Sequence, residues 1–214
     1  MQSLDKNGLK SFLYLITPTQ IHEINIENKL KNIFQTGVVK VLQLRLKKSK
    51  DQEIIDAGKI LKTLCKNHNV TLIINDRPDL AHKIGADGVH IGEEDGSIEN
   101  ARAILGKNAI IGVSCYNSKH QAMIAAEKGA DYVAFGAFYD SKTKVPKYKA
   151  DLKLISDWSY ISEVASVAIG GINADNCTNI VRAGADYVAV IDSIWNAKEG
   201  YMAALKKFER VLQG

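Results

Sequence analysis

The stretch AAEKGADYVAFG, residues 125–136, recurs upstream as AHKIGADGVHIG (81–92) and downstream as IVRAGADYVAVI (180–191). Each copy reads as a helix end, a turn at GAD and a short strand. The glycine supplies the positive φ that ends a helix, and the small residues beside it let the chain reverse tightly. The aspartates read as part of that structural device rather than as chemical groups. Working outward, strand-like runs fall at 12–17, 38–44, 70–74, 87–91, 109–113, 131–135, 164–169 and 186–191, so the copies precede the fourth, sixth and eighth. Helix-length stretches separate them, and residues 197–212 supply a last helix. Parallel neighbours need a crossover, so strict alternation predicts a parallel sheet. Eight units in 214 residues favour closure into a single (β/α)₈ TIM barrel over an open sheet. No Pro/Gly/Ser linker divides the chain, and residues 1–214 are expected to form one domain.

Composition sets outer limits on function. Hydrophobic residues make up 46% and charged residues 24%, the balance of an ordinary globular protein. A net charge of +4 is too small and dispersed to point to nucleic acid. The three cysteines (Cys65, Cys115, Cys177) form no CxxC pair, which fits a reducing cytosol better than a disulfide framework or zinc site. The amino terminus MQSLDKNGLK lacks an apolar core, and no run approaches a membrane span, so a cytoplasmic protein is expected.

In such barrels chemistry collects at the carboxyl ends of the strands, and polar residues do gather there. In VLQLRLKK (41–48), period-2 alternation turns Val41, Gln43 and Arg45 to one face and Leu42, Leu44 and Leu46 to the helix-covered other. An inward Arg45 needs an anion, either an internal carboxylate or a ligand. LIINDRPDL ends the third strand with Asn75 and Asp76; Asp76 reads either as a helix cap or as a metal ligand. HIGEEDG follows the fourth strand, and its acids are either a solvated loop or partners of Asp76 around magnesium, whose octahedron phosphate oxygens and water would complete. His90 reads as a packed strand residue and Cys115 as inert, whereas Ser114 brings a hydroxyl to the mouth. After the sixth strand, Lys142, Lys144, Lys147 and Lys149 interleave with Ser141, Thr143 and Tyr148 in a long loop, either simply wet or a basic lid over a leaving diphosphate. Gly170 and Gly171 would let backbone N–H groups approach an anion, and Ser193 lies where a short helix begins, an arrangement suited to phosphate.

The ordered set QLRLK, IINDR, GADGVHIGEED, GVS, SKTK, AIGGI and GADYVAVIDSI resembles the thiamine-phosphate synthase family from about residue 12 to 195. The resemblance implies a magnesium-dependent transferase that joins a hydroxymethylpyrimidine diphosphate to a thiazole phosphate by dissociative substitution. It places the pyrimidine diphosphate on Arg45, Lys47 and Lys144, with Asn75 alongside and Gln43 near the ring. The magnesium ligands fall on Asp76 and Asp95, the thiazole-phosphate contacts on Ser141, Thr143, Gly171 and Ser193, and the hydroxyl after the fifth strand on Ser114. Arg45, Lys144 and Ser114 are the catalytic candidates. The chain departs from the family pattern at Leu46 (often glutamate), Glu93 (usually glutamine) and Tyr116 (commonly histidine). The implied partners are small molecules, with no nucleic acid or membrane, and a homo-oligomer is compatible with the sequence.

Three other readings compete. A related thiazole tautomerase relies on the histidine that Tyr116 replaces and does not need the full diphosphate and metal set. A non-catalytic sensor of thiamine precursors would bind without turnover, but no output segment is evident. An isomerase of sugar phosphates would need a carboxylate or lysine base facing its substrate.

Overall fold

A computed structural model describes residues 11–19, 21, 26–140 and 148–213. Eight strands run β1 Phe12–Ile16, β2 Val39–Leu44, β3 Thr71–Asn75, β4 Gly88–Ile91, β5 Ile110–Tyr116, β6 Tyr132–Gly136, β7 Ala165–Ile169 and β8 Tyr187–Val190. All neighbours pair in parallel and β8 returns to β1, closing the expected barrel. The intervening helices are α1 Ile26–Gln35, α2 Asp51–Asn67, α3 Pro78–Ile84, α4 Ile98–Leu105, α5 Lys119–Glu127, α6 Leu152–Ile161 and α7 Thr178–Arg182. A short α8, Asp192–Trp195, precedes the closing α9, Tyr201–Gln213. No helix among the described residues is long and apolar enough to cross a membrane.

The alternation in the sequence sorts residues into two cores. Leu13, Leu15, Leu42, Leu44 and Leu46 face outward into the layer between strands and helices. Tyr14, Ile16, Val41, Ile73, Tyr132 and Val167 fill the barrel interior. Leu46, where the family often has glutamate, is buried in the outer layer. Glycine sets the spacing where elements crowd. A Cβ on Gly58 of α2 would lie 2.5 Å from Ile84 of α3, and one on Gly112 of β5 would lie 1.9 Å from the Tyr132 ring.

The three GAD turns share one construction. Gly85, Gly129 and Gly184 take φ of 71°, 88° and 96°, and the following alanine N–H reaches back to Ala81, Ala125 and Ile180 respectively. This is the paired closure of a helix end for which glycine is favoured. Each aspartate then accepts a backbone N–H near the start of the preceding strand: Asp87 from Leu72, Asp131 from Ile111 and Asp186 from Ser166, all at 2.8 Å. Lys62 pairs with Asp87 and Arg102 with Asp131, while the Ser166 hydroxyl also donates to Asp186 at 3.0 Å. These aspartates fasten the end of the barrel opposite its mouth, which agrees with their structural reading.

Most strand bounds lie within a residue of expectation. The exception is β5, which extends to Tyr116 and shifts register against β6 between Ser114 and Tyr116. The last helix starts at Tyr201 rather than 197.

Candidate functional site

A cavity of about 660 Å³ opens at the carboxyl ends of the strands. Gln43, Arg45, Lys47, Asn75, Asp76, Asp95, Ser114, Gly171 and Ser193 all line it, so these sequence-selected residues from six strand ends converge. Ser141, Thr143 and Lys144 lie outside the described residues, as do Lys142 and Lys147. The feet of their loop are fixed, however. Ala137 N–H donates to Tyr148, Ala150 N–H to Ala137, and Phe138 and Tyr139 N–H to Ile169 and Gly170. The loop therefore leaves from and returns to the cavity rim.

Each side chain has a local reason for its position. Gln43, 3% exposed, is the inward residue of β2, and two residues on, the Arg45 N–H donates to the buried Thr17 hydroxyl at 3.0 Å. Among the described residues Arg45 makes no ion pair, although its guanidinium acts through space on the Asp76 carboxyl. Asp76 is not a helix cap: α3 begins at Pro78 with Arg77 at the cap position. Instead, Arg77 N–H donates to the Asn75 carbonyl at 2.9 Å, in a three-residue turn centred on Asp76 at φ 65°. That left-handed conformation is uncommon outside glycine and is tolerated best by Asp and Asn. A 2.8 Å bond from Asp76 N–H to the His90 carbonyl holds the turn against β4.

Asp95 folds back so that its carboxylate accepts the Gly92 N–H at 2.8 Å and lies within hydrogen-bonding reach of Asp76. Burial first, then this neighbour, pushes the Asp76 carboxyl up to about 6, against the pull of Lys47 and Arg45. Two carboxylates this close repel when both are ionised, and a hard cation between them would relieve the repulsion. Among the described residues no cluster of three or more potential ligands occurs. The two adjacent carboxylates fit magnesium, which is often held by one or two carboxylates together with substrate phosphates and water.

On the opposite rim, a Cβ on Gly171 (φ 64°) would lie 2.6 Å from the Tyr139 and Asp140 carbonyls. Glycine is thus needed for the β6 loop to pack over β7, whatever its backbone binds. Ser193 Oγ is buried and has no hydrogen-bond partner among the described residues. An orphaned buried hydroxyl on a cavity wall is costly unless a ligand completes it. Glu93 and Tyr116 also line the cavity, and Tyr116 packs against Tyr148 with ring centroids 5.3 Å apart. Cys115 is buried, and burial pushes its thiol up to about 12, consistent with an inert residue.

The sequence reading missed the barrel floor. His90 is not merely packed: its Nδ1 lies 3.0 Å from Tyr132 Oη and its Nε2 2.9 Å from Ser114 Oγ. Tyr132 Oη in turn lies 2.8 Å from Tyr14 Oη. The signal was present, since alternation turns Tyr14 to the same side as Ile16, and Gly112 leaves the space that Tyr132 occupies.

Comparison with known proteins agrees with this geometry. Residues 13–194 match a family model described as thiamine monophosphate synthase. A thiamine-phosphate synthase of Rhodospirillum centenum is 45% identical over 202 residues, covering 94% of this chain and 98% of that protein. One of Hyphomonas neptunium is 42% identical over 206 residues, covering 94% and 93%. The solved structure of a thiamine phosphate pyrophosphorylase from Pyrococcus furiosus superposes with a TM-score of 0.81 at 30% identity, covering 97% of each chain. A 3-hexulose-6-phosphate synthase from Salmonella typhimurium, 18% identical with a TM-score of 0.66 over 94% of this chain and 98% of that one, shares the fold alone.

Proposed function

The chain belongs to the thiamine monophosphate synthase family and is a transferase, and from that premise we propose that it couples hydroxymethylpyrimidine diphosphate to a thiazole phosphate. The bond from the pyrimidine methylene to the diphosphate oxygen breaks, and its electron pair leaves with diphosphate. The amino-substituted ring stabilises the resulting cation, and the thiazole nitrogen lone pair forms the new C–N bond. The observation that carries this reading is the Asp76–Asp95 pair flanked by Arg45 and Lys47 on one cavity wall, a site for a cation and a polyanion together.

Little acid–base chemistry is required of the protein. It must hold two anionic substrates in line and stabilise charge developing on the leaving group. Arg45, Lys47 and Asn75 would bind the diphosphate, joined by Lys144 from the β6 loop. Asp76 and Asp95 would hold magnesium, which when bound neutralises charge on the diphosphate oxygens. Gln43 and Ser114 would face the pyrimidine. Gly171 and Ser193, with Ser141 and Thr143, would take the thiazole phosphate, giving the orphaned Ser193 hydroxyl its partner. Arg45, Lys144 and Ser114 are the groups assigned to the reacting end. Apolar walls at Ile16, Ala134, Ile169 and Ala189 would keep water from the cation. In this reading residues 1–214 act as one barrel domain in the cytoplasm, with small molecules as partners. Tyr116 in the place of the tautomerase histidine favours coupling over tautomerisation.

The test is direct: purified protein with both substrates, with and without magnesium, following thiamine phosphate by fluorescence after oxidation. Magnesium-dependent product that disappears in Asp76→Ala supports the reading. Both substrates bound with no product would sink it.

A further inference from the structure

Between Gln43 and Ser114 the barrel interior holds a line of polar groups that the proposed reaction leaves without a task. Ser114 Oγ, His90, Tyr132 Oη and Tyr14 Oη follow one another at 2.9, 3.0 and 2.8 Å. The Gln43 amide lies against the Tyr14 hydroxyl at the far end. The His90 and Tyr132 rings stack, with centroids 5.5 Å apart and planes at 18°. Tyr14 and Tyr132 are 2% and 1% exposed among aliphatic neighbours and do not line the cavity, whereas Gln43, His90 and Ser114 do. A buried polar network adds little stability over well-packed apolar side chains and is costly when incomplete. Gly112 also gives up its side chain to make room for the Tyr132 ring.

The network obeys a counting rule. His90 hydrogen-bonds two hydroxyls and no carboxylate, and burial pushes both phenols well up, so the line is one of neutral groups. A neutral phenol carries one proton and a neutral imidazole one N–H and one acceptor nitrogen, so when no buried O–H is left without an acceptor the hydrogens along the line all point the same way. Pointing toward Ser114, Tyr14 donates to Tyr132, Tyr132 to His90 and His90 to Ser114 Oγ. The serine proton is then free to donate into the cavity, and Gln43 keeps its carbonyl as an acceptor. Pointing the other way, the serine oxygen accepts from the ligand and the Gln43 amide donates. The two ends therefore always show opposite faces.

We propose that Tyr14, Tyr132 and His90 are positioning residues whose hydrogen-bonded line sets, in opposite senses, the donor and acceptor faces that Ser114 and Gln43 turn to an aminopyrimidine ring. Such a ring presents a complementary edge, with ring nitrogens that accept and an exocyclic amine that donates. The inference rests on the coupling reaction proposed above, because that reaction supplies the aminopyrimidine.

Tyr132→Phe tests it by cutting the line at its middle while keeping the ring. The expected result is a KM for the pyrimidine diphosphate raised about tenfold, the scale of one lost hydrogen bond, with the KM for the thiazole phosphate unchanged. Nitrogen-15 NMR of His90 adds a readout that simple packing would not move. In the unsubstituted protein a bound pyrimidine analogue should select one imidazole tautomer, and in Tyr132→Phe it should leave a mixture. Should Tyr132→Phe fold poorly, Tyr14→Phe, at the far end of the line, must show the same substrate-selective loss. Equal losses for both substrates, or none, with an unchanged tautomer response, overturn the proposal alone. No turnover by the unsubstituted protein overturns the coupling reaction, and this proposal with it.

Discussion

Replacing Asp76 by asparagine should make the ligand-free protein more stable while removing its activity. Asp76 sits at φ 65° with its carboxyl raised to about 6 by burial and by Asp95. An ordinary aspartate titrates near about 3.9. The folded state thus holds a proton that the unfolded chain has already released. The resulting stability is fully present below about pH 4 and is lost as pH rises through about 6. A two-unit shift corresponds to about 3 kcal/mol if fully expressed. Asp76 is only half-buried, so solvent screening brings the expected effect nearer to about 1 kcal/mol. Asparagine carries no charge and tolerates the left-handed backbone, so it removes the repulsion without adding strain. Urea unfolding of both proteins from pH 4 to 8 provides the assay. Asp76→Asn should match the unsubstituted protein near pH 4 and exceed it by about 1 kcal/mol at pH 7.5, about 2–4 °C in Tm. Magnesium with diphosphate should then raise the Tm of the unsubstituted protein only, and turnover of the variant should fall about a thousandfold. A variant less stable at pH 7.5, or a difference that ignores pH, would refute the reasoning.

Other substitutions separate packing from binding. Gly112→Ala sets a Cβ 1.9 Å from a ring that hydrogen bonds hold at its hydroxyl, and should cost about 2–4 kcal/mol in urea unfolding. That cost should largely vanish in a Tyr132→Ala background, and a purely additive double mutant would rule out the clash. Asp186→Ala strips the acceptor from the fully buried Ser166 and should lower stability by about 2 kcal/mol. Its kcat/KM, measured well below the new Tm, should stay unchanged because the bond lies at the barrel end away from the cavity. Ser193→Ala should do the reverse: no loss of stability, because the hydroxyl is an orphan, but a KM for thiazole phosphate about tenfold higher. An unaltered KM would remove Ser193 from the phosphate site.

What the sequence revealed, and what it hid, follows from the range of the interactions involved. A GAD turn is decided within six residues, by a glycine that must go left-handed and an alanine N–H that reaches back, so three copies announce three helix ends. The inward and outward faces of LQLRL follow from period 2 alone. The position of Asp76 was legible, but its role as the centre of a tight turn rather than a helix cap depends on a bond to the His90 carbonyl across β4. The line from Tyr14 to Tyr132 joins residues 118 positions apart, and His90 joins Ser114 across 24. Those meetings depend on barrel register, including the shift beside Ser114, which no local pattern encodes. Gly112 was visible only as part of GVS; its reason, the Tyr132 ring, lies on the neighbouring strand.

The aspartates of the GAD turns have a consequence for how the molecule could be cut. Their carboxylates tie β3 to β4, β5 to β6 and β7 to β8, and no carboxylate among the three ties β4 to β5 or β6 to β7. A chain severed after Gly106 therefore keeps every one of these carboxylate ties inside one piece or the other, while the Ile110 N–H bond to the Asp87 carbonyl crosses the break. Arg102 would reach from the first piece to Asp131 and the Gly129 carbonyl in the second, an ionic latch across the break. A break between β5 and β6 would instead split the Ile111–Asp131 tie between pieces. Two co-expressed halves divided at Gly106 should recombine into a working barrel more readily than halves divided between β5 and β6.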